Sequence, residues 1–249
     1  YAAHPGVDAA RMRFCDETLT RRADHVFVAS PALLAAKKAL NPATSFAPHG
    51  VDVALFSRAQ DAATLLPAAA ASLPHPVIGY FGLIAAWTDI ELLEALASQR
   101  PEWHFLLVGH ATVNVRNLAR LPNVTMVGAQ PYESLPGWAK AFDVAIIPYR
   151  LNEQVRHANP LKLREYLATG KPVVSVPTPE VDRFGPLLHV CEGVTNFIEA
   201  IDASLREDGD DLRSRRMASV SEMSWEQRVE ESLLIVHQAL LRRADGVTR

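Results

Sequence analysis

The residues best placed to hold a ligand in this 249-residue chain lie between Asn159 and Pro172, in the run NPLKLREYLATGKP. Asn159 is a residue type that caps helices, and Pro160 suits a first helical position, where an N–H would have no partner. The free N–H groups and dipole of a helix end that opens on a crevice attract an anion. Lys162 adds a full positive charge in that first turn, so a phosphate or pyrophosphate is the expected guest. Glu165 falls on the same helical face as Lys162 and Leu161. A carboxylate that accepts from two neighbouring hydroxyls is a common way to hold a ribose. Gly170 then ends the helix, and Lys171-Pro172 leads into the next strand. The same pattern also describes an exposed Lys/Glu pair on a surface helix, and the residues alone leave both readings open.

Other candidates carry weaker signals. In an open parallel sheet, ligands bind beyond the carboxyl ends of the strands, near the point where strand order reverses. Gly79, Gly82, Gly109, Gly128 and Pro148 stand at such strand ends, although a glycine there more often serves a turn. The chain has no GxGxxG and no Walker A sequence, which removes the main support for dinucleotide and P-loop readings. No His/Cys/Asp/Glu cluster has metal-ligand spacing. His104 and His189, in or beside apolar strands, read as structural, and His49, ahead of Gly50, as the better functional candidate.

The bulk numbers narrow the class. With 49% hydrophobic and 21% charged residues the chain reads as a soluble α/β protein, and a net charge of −3 excludes the basic footprint of a nucleic-acid binder. Arg213, Arg215 and Arg216 read as a solvated helix face. Cys15 and Cys191 form no CxxC pattern and read as reduced, buried thiols of a cytoplasmic protein. No signal peptide and no apolar run of about 18 residues is present. The opening AAHPGVD after Tyr1 reads as a loop, so the chain is expected to be part of something longer.

The elements that must position these residues alternate between helix and strand. Residues 7–23, with Met12, Phe14, Cys15 and Leu19 at mixed spacings of three and four, predict an amphipathic helix. HVFVAS (25–30) predicts a buried strand, Ser30-Pro31 a helix start, and residues 44–50 a second strand. Residues 58–74, Ala-rich and ending in Leu73-Pro74-His75-Pro76, read as a connection with a helical piece. A second series follows. Strands are expected at 77–82, 103–109, 124–128, 144–148, 172–177 and 187–191, with helices at 90–98, 138–142, 160–169 and 195–205. Such continuous apolar runs suit parallel strands covered on both faces, hence a doubly wound sheet. Trp225 to Arg243 predicts a long helix with Val229, Leu233, Val236 and Leu240 as its apolar stripe, packed across a domain junction or forming a dimer surface.

NPLKLREYLATGKPVVSVPTPEV resembles the donor-site segment of GT-B glycosyltransferases of family 4 or family 1, which runs S/N-P-x-K-x-x-E-Y-x-A-x-G-x-P-V-V. IGYFGLIAAWTDIELLEALASQRPEWHFLLVGH, LPNVTMVGAQPYESLPGWAKAFDVAIIPYR and SFAPHGVDVALF extend the resemblance, in the manner of bacterial polysaccharide and teichuronic-acid-type transferases, over roughly residues 20–240. It implies a Rossmann-like, doubly wound C-terminal domain over 75–223. Before it would come the tail of an N-terminal acceptor domain (1–50) and a linker (51–74), and after it a helix (224–249) returning to the junction. The rest of the N-terminal domain would be a missing partner.

The implied activity is retaining transfer of a hexose-like sugar from a UDP- or GDP-type donor to a hydroxyl on a glycan or lipid-linked acceptor. It needs no metal, and it would sit in the cytoplasm with at most peripheral membrane association. The fragment alone would turn over little. A non-catalytic nucleotide-sugar-binding module and a GT-B epimerase are the alternatives. By the resemblance Glu165 would hold the ribose, and Lys162 with the N–H groups around Leu161 and Lys162 the pyrophosphate, Asn159 and Pro160 belonging to the same donor-binding turn. Gly82 would let the first loop approach, while Gly109, His110 and Gly128 would border the base and the segment from Pro148 to Asn159 the sugar. Two departures stand out. His157 occupies the place of a sugar-contacting Glu in an E-x7-E pair, with Glu153 four residues earlier, and Leu83–Asp89 lacks the expected Arg and Lys. Arg150, Arg156 and Arg164 could supply that charge, or simply be surface residues.

Overall fold

The computed structural model describes residues 6–156 and 159–247. The chain opens with α1 (Ala9–Arg22), whose first N–H groups are capped by the Asp8 carboxylate, and continues through β1 (Val26–Val28), α2 (Pro31–Lys38) and β2 (Thr44–Phe46). Ser30 Oγ accepts from Leu33 N and Pro31 takes the first helical position, as the Ser-Pro pair predicts. β1 and β2 form a two-stranded parallel sheet in which Val26 faces Thr44.

Next come α3 (Val53–Ser57) and α4 (Ala68–Ala71), then β3 (Val77–Phe81), α5 (Ile90–Gln99), β4 (His104–Val108) and β5 (Val124–Met126). They are followed by α6 (Leu135–Lys140), β6 (Val144–Ile147), α7 (Glu153–Arg156), α8 (Leu161–Ala168), β7 (Val173–Ser175) and β8 (His189–Val190). The chain finishes with α9 (Val194–Glu207), α10 (Asp210–Ala218) and α11 (Trp225–Val247). β3 to β8 make one parallel sheet in the order β5-β4-β3-β6-β7-β8. The chain winds outward from β3 through β4 to β5, then returns to lay β6 against the other side of β3. The order therefore reverses between β3 and β6, and a crevice must open beyond their carboxyl ends.

Burial explains why these runs read as strands without alternation. Every residue of β3, β4, β6 and β7 is buried, because helices cover both faces. α5 contributes Leu92, Leu93 and Leu96 to the core, and α9 contributes Phe197 and Ile201. At Gly79 the Phe142 ring lies where a side chain would be, so the residue two before β6 packs its ring directly on the backbone of β3.

Several expectations fail at the margins. The run at 25–30 is not a buried strand: Phe27 is exposed on the small sheet. Phe14 and Leu19 of α1 are 71% exposed and Cys15 is exposed too, while Thr20 takes the buried place on that helix. Cys191 is only half-buried. Arg216 is buried, not solvated; its guanidinium donates to the carbonyls of Gly170 and Leu187 and pairs with Asp208, so it closes the carbonyl end of α8. The short helix ahead of β6 starts three residues early because Pro136 fits its first turn. α3, α7 and α10 have no counterpart in the expected elements.

α11 begins against the stretch before α3. Val51 N donates to Met223 O, Val51 bridges Ser224, and Trp225 fills the space beside Gly50. Its stripe is not covered, since Val229, Leu233 and Leu240 remain more than half exposed. Among the described residues no helix is long and apolar enough to cross a membrane.

Candidate functional site

The crevice between β3 and β6 receives the first turn of α8. Pro160 is the N-cap residue, with no side-chain hydrogen bond closing the helix end. Asn159 does not cap, contrary to expectation. Its amide donates to Ala29 O at 2.6 Å and its carbonyl oxygen accepts from Arg164 at 2.5 Å, so it ties α8 to the loop after β1. The helix end is left open, with Leu161 exposed at its rim.

Lys162 projects from this turn over Gly82. A Cβ on Gly82 would lie 2.3 Å from Lys162 Cε and 2.5 Å from Nζ, and Gly82 has φ +120°, which other residues rarely adopt. Gly82 is thus glycine for two reasons at once. The loop after β4 comes equally close, because a Cβ on Gly109 would lie 2.0 Å from Gly82 O. Beyond Lys162 stand the rings of Tyr80 and Tyr149, with centroids 5.3 and 5.8 Å from Nζ. Burial pushes both phenols up to about 12, so they stay protonated at physiological pH and offer neutral faces to the ammonium. Among the described residues Lys162 makes no carboxylate ion pair. Its charge remains available to an anion.

Glu165 follows one turn later and is 8% exposed. Burial raises its pKa above the ordinary carboxylate range, against the opposing pull of Lys162 and a hydrogen bond from Tyr132 Oη to Oε1 at 3.2 Å. Tyr166, next in sequence, accepts at its hydroxyl oxygen from Phe81 N at 2.9 Å and so pins the helix to the end of β3. Lys162, Glu165 and Gly82, together with Gly109 behind Gly82, therefore converge on one corner. Pro148 is buried at the end of β6 and delivers Tyr149 to it. His110 is exposed after β4, its carbonyl accepting from Ile84 N. Gly128, with φ +69°, has open space where a side chain would be. Among the described residues no side-chain hydrogen bond links His110 to Lys162 or Glu165.

Arg164 is neither a surface residue nor a spare charge for the crevice. It is 1% exposed, on the opposite face of α8, and its guanidinium pairs with the equally buried Glu180. Burial is the main cause of its lowered pKa, with Glu180 opposing it. Arg183 reaches the same Glu180 at 3.1 Å and lies over Phe46 of β2. Arg150 pairs with Glu91 at 3.2 Å on the rim. His157 lies outside the described residues, as do the side chains of Glu153 and Arg156. His49 is half-buried, 6.1 Å from the Trp225 ring, with its pKa lowered by burial and by Arg164. His104 is buried and bonded to Thr125, the structural part expected of it. A cavity of about 520 Å³ opens beside Tyr149 and Leu151, with Asp89, Glu91 and Glu192 on its wall. Among the described residues no cluster of three or more His, Cys, Asp or Glu is placed to hold a metal ion.

Sequence reasoning missed Tyr132, which stands 33 positions before Glu165. Its Pro-Tyr-Glu-Ser context reads only as a turn, and nothing local points to a distant carboxylate.

This arrangement matches known proteins at three levels. The family model for glycosyl transferases group 1 matches residues 75–207, more than half of the chain. TuaH of Bacillus subtilis (strain 168), named as a glycosyltransferase of teichuronic acid biosynthesis, is 33% identical over 143 residues. That match takes in 54% of this chain but only 36% of the relative's length. In fold, the chain resembles Anabaena HepE (Alr3699), solved with UDP and glucose, at a TM-score of 0.67 and 18% identity, over 93% of this chain and 67% of that one. Sucrose-phosphate synthase of Thermosynechococcus elongatus gives a TM-score of 0.69 and 22% identity, over 99% and 65%. The reversed strand order, the open α8 terminus and the matched span agree: the chain belongs to the glycosyl transferases group 1 family and has the GT-B fold.

Proposed function

We propose that this chain is the donor-binding part of a retaining glycosyltransferase that moves a sugar from a nucleoside-diphosphate sugar to a hydroxyl acceptor in polysaccharide synthesis. The observation that carries the reading is Lys162, which lies over Gly82 at the open end of α8 with no carboxylate partner among the described residues, one turn ahead of the buried Glu165. Lys162 and the first N–H groups of α8 would bind the diphosphate, and Glu165 the ribose hydroxyls. As the glycosidic bond breaks, negative charge grows on the departing diphosphate. A fixed ammonium and a helix terminus stabilise that charge without reorganising, and in this reading no metal is needed. HepE, solved with UDP and glucose, and TuaH, named for teichuronic acid biosynthesis, support a nucleotide-sugar donor and a polymeric acceptor.

In this reading residues 75–223 form the donor domain, residues 1–50 belong to the acceptor side, and the protein works in the cytoplasm, at most peripherally on a membrane. The Pro148–Asn159 segment lines the sugar, with His157 at the place of the expected Glu. That substitution favours a second reading, a nucleotide-sugar-binding module without catalysis. Titration with UDP, GDP and their sugars, repeated with Glu165→Ala, tests both. Binding without measurable transfer is expected of this chain alone, and no binding at millimolar nucleotide would sink both readings.

A further inference from the structure

Glu165 does not meet its ligand as a bare carboxylate. Tyr132 sits on the turn Tyr132–Ser134 after β5, and its hydroxyl donates to Glu165 Oε1 at 3.2 Å. Its ring is held edge-on against Phe56 of α3, with centroids 5.5 Å apart at 80°, and Phe56 in turn stacks on Phe81 at the end of β3. The phenol is thus fixed by the same strand whose next residue, Gly82, lies under Lys162. Tyr132 itself remains 43% exposed, whereas Glu165 is buried.

A carboxylate offers about four acceptor positions, and one phenol occupies one of them. Two hydroxyls on adjacent ribose carbons still find acceptors, provided the carboxylate does not rotate. A hydrogen bond to the ionised form also opposes the burial that favours protonation, and a protonated Glu165 would lose an acceptor. We propose that Tyr132 is a positioning residue for ribose recognition, its hydroxyl locking Glu165 Oε1 so that the remaining acceptor positions face the 2′- and 3′-hydroxyls of the nucleotide. The inference rests on the donor-site reading of Glu165 and adds a residue from a different element to it.

The test compares wild type with Tyr132→Phe, which keeps the ring and its packing on Phe56, in calorimetric titrations with UDP, GDP and their 2′,3′-dideoxy analogues. Tyr132→Phe is expected to weaken the ribonucleotide about fivefold, the weight of one hydrogen bond, and to leave the dideoxy analogue unchanged. In a Glu165→Ala background the same substitution should have no further effect. Equal loss for both analogues would assign Tyr132 to the fold or to the phosphates and overturn the proposal. Unchanged discrimination, or tighter ribonucleotide binding because the phenol competes with the sugar, would overturn it equally while leaving Glu165 as the ribose ligand. Wild type that treats ribo and dideoxy forms alike would instead remove the donor-site role of Glu165, and the Tyr132 proposal with it.

Discussion

The two faces of α8 carry the same kinds of residue and use them in opposite ways. On the crevice side, Lys162 and Glu165 lie without an ion pair to any described partner of opposite charge beyond each other's field. On the interior side, Arg164 is paired with Glu180, bonded to Asn159 and shut away from water. A buried pair costs desolvation and is retained where breaking it would cost more. An unpaired cation beside a buried acid leaves stability unused, and only a ligand can recover it. The contrast separates residues that hold the helix in place from residues that the helix exists to present.

The sharpest way to break the contrast is Arg164→Leu. It leaves Glu180 buried with only the half-exposed Arg183 as partner, and the expected loss is about 3–5 kcal/mol of unfolding free energy. Chemical denaturation measures it, and a loss below about 1 kcal/mol would show that Glu180 can reach water. Lys162→Met should do the reverse. Nucleoside diphosphate affinity falls about 10- to 100-fold, the range for a charged hydrogen bond, with the denaturation midpoint nearly unchanged. Gly82→Ala should blur the two classes: the Cβ displaces the end of Lys162 and strains a backbone at φ +120°. We expect about 1–3 kcal/mol of destabilisation together with weaker diphosphate binding.

The smallest effect is the most pointed. Burial holds the Glu165 pKa above its unfolded value, so in the window between the two the folded chain binds more protons than the unfolded chain. Stability then falls as pH rises through that window and levels off above it. Glu165→Gln removes this slope, so it should melt slightly higher than wild type at neutral pH, by about 2–4 °C for each kcal/mol recovered. The gain should vanish once the pH drops below the ordinary carboxylate range. A variant that melts lower at neutral pH would mean that Lys162 and Tyr132 more than offset the burial of the charge.

What could be read from the chain alone follows the range of each interaction. The four central strands of the main sheet, β3, β4, β6 and β7, were legible because burial on both faces writes itself as unbroken apolar runs such as VAII in β6. Lys162 and Glu165 were legible as a pair because helical spacing sets them on one face. Asn159 was misread because its residue type suits a cap, yet the loop after β1 offered Ala29 O, a partner 130 residues away. Arg164 and Arg216 looked solvated because charge is usually solvated, and their acceptors, Glu180 and the Gly170 carbonyl, come from other elements. Tyr132 left no trace for the same reason. The α11 stripe shows the converse, an apolar period readable in sequence that nothing among the described residues covers.

The glycines after β3 and β4 meet with no side chain between them, the Gly109 Cα standing against the Gly82 carbonyl. The floor of the crevice is therefore made of peptide groups, whose dipoles and shape are the same whatever sugar or base a protein of this design is asked to recognise. A methyl group on Gly109 would force the two loops apart, and one on Gly82 would displace the end of Lys162. Change is confined to the walls, to Tyr149 and the segment beyond it and to the turn that bears Tyr132. In the proposed donor-site reading, a scaffold of this kind keeps its grip on a diphosphate fixed while its taste in what is attached to that diphosphate drifts.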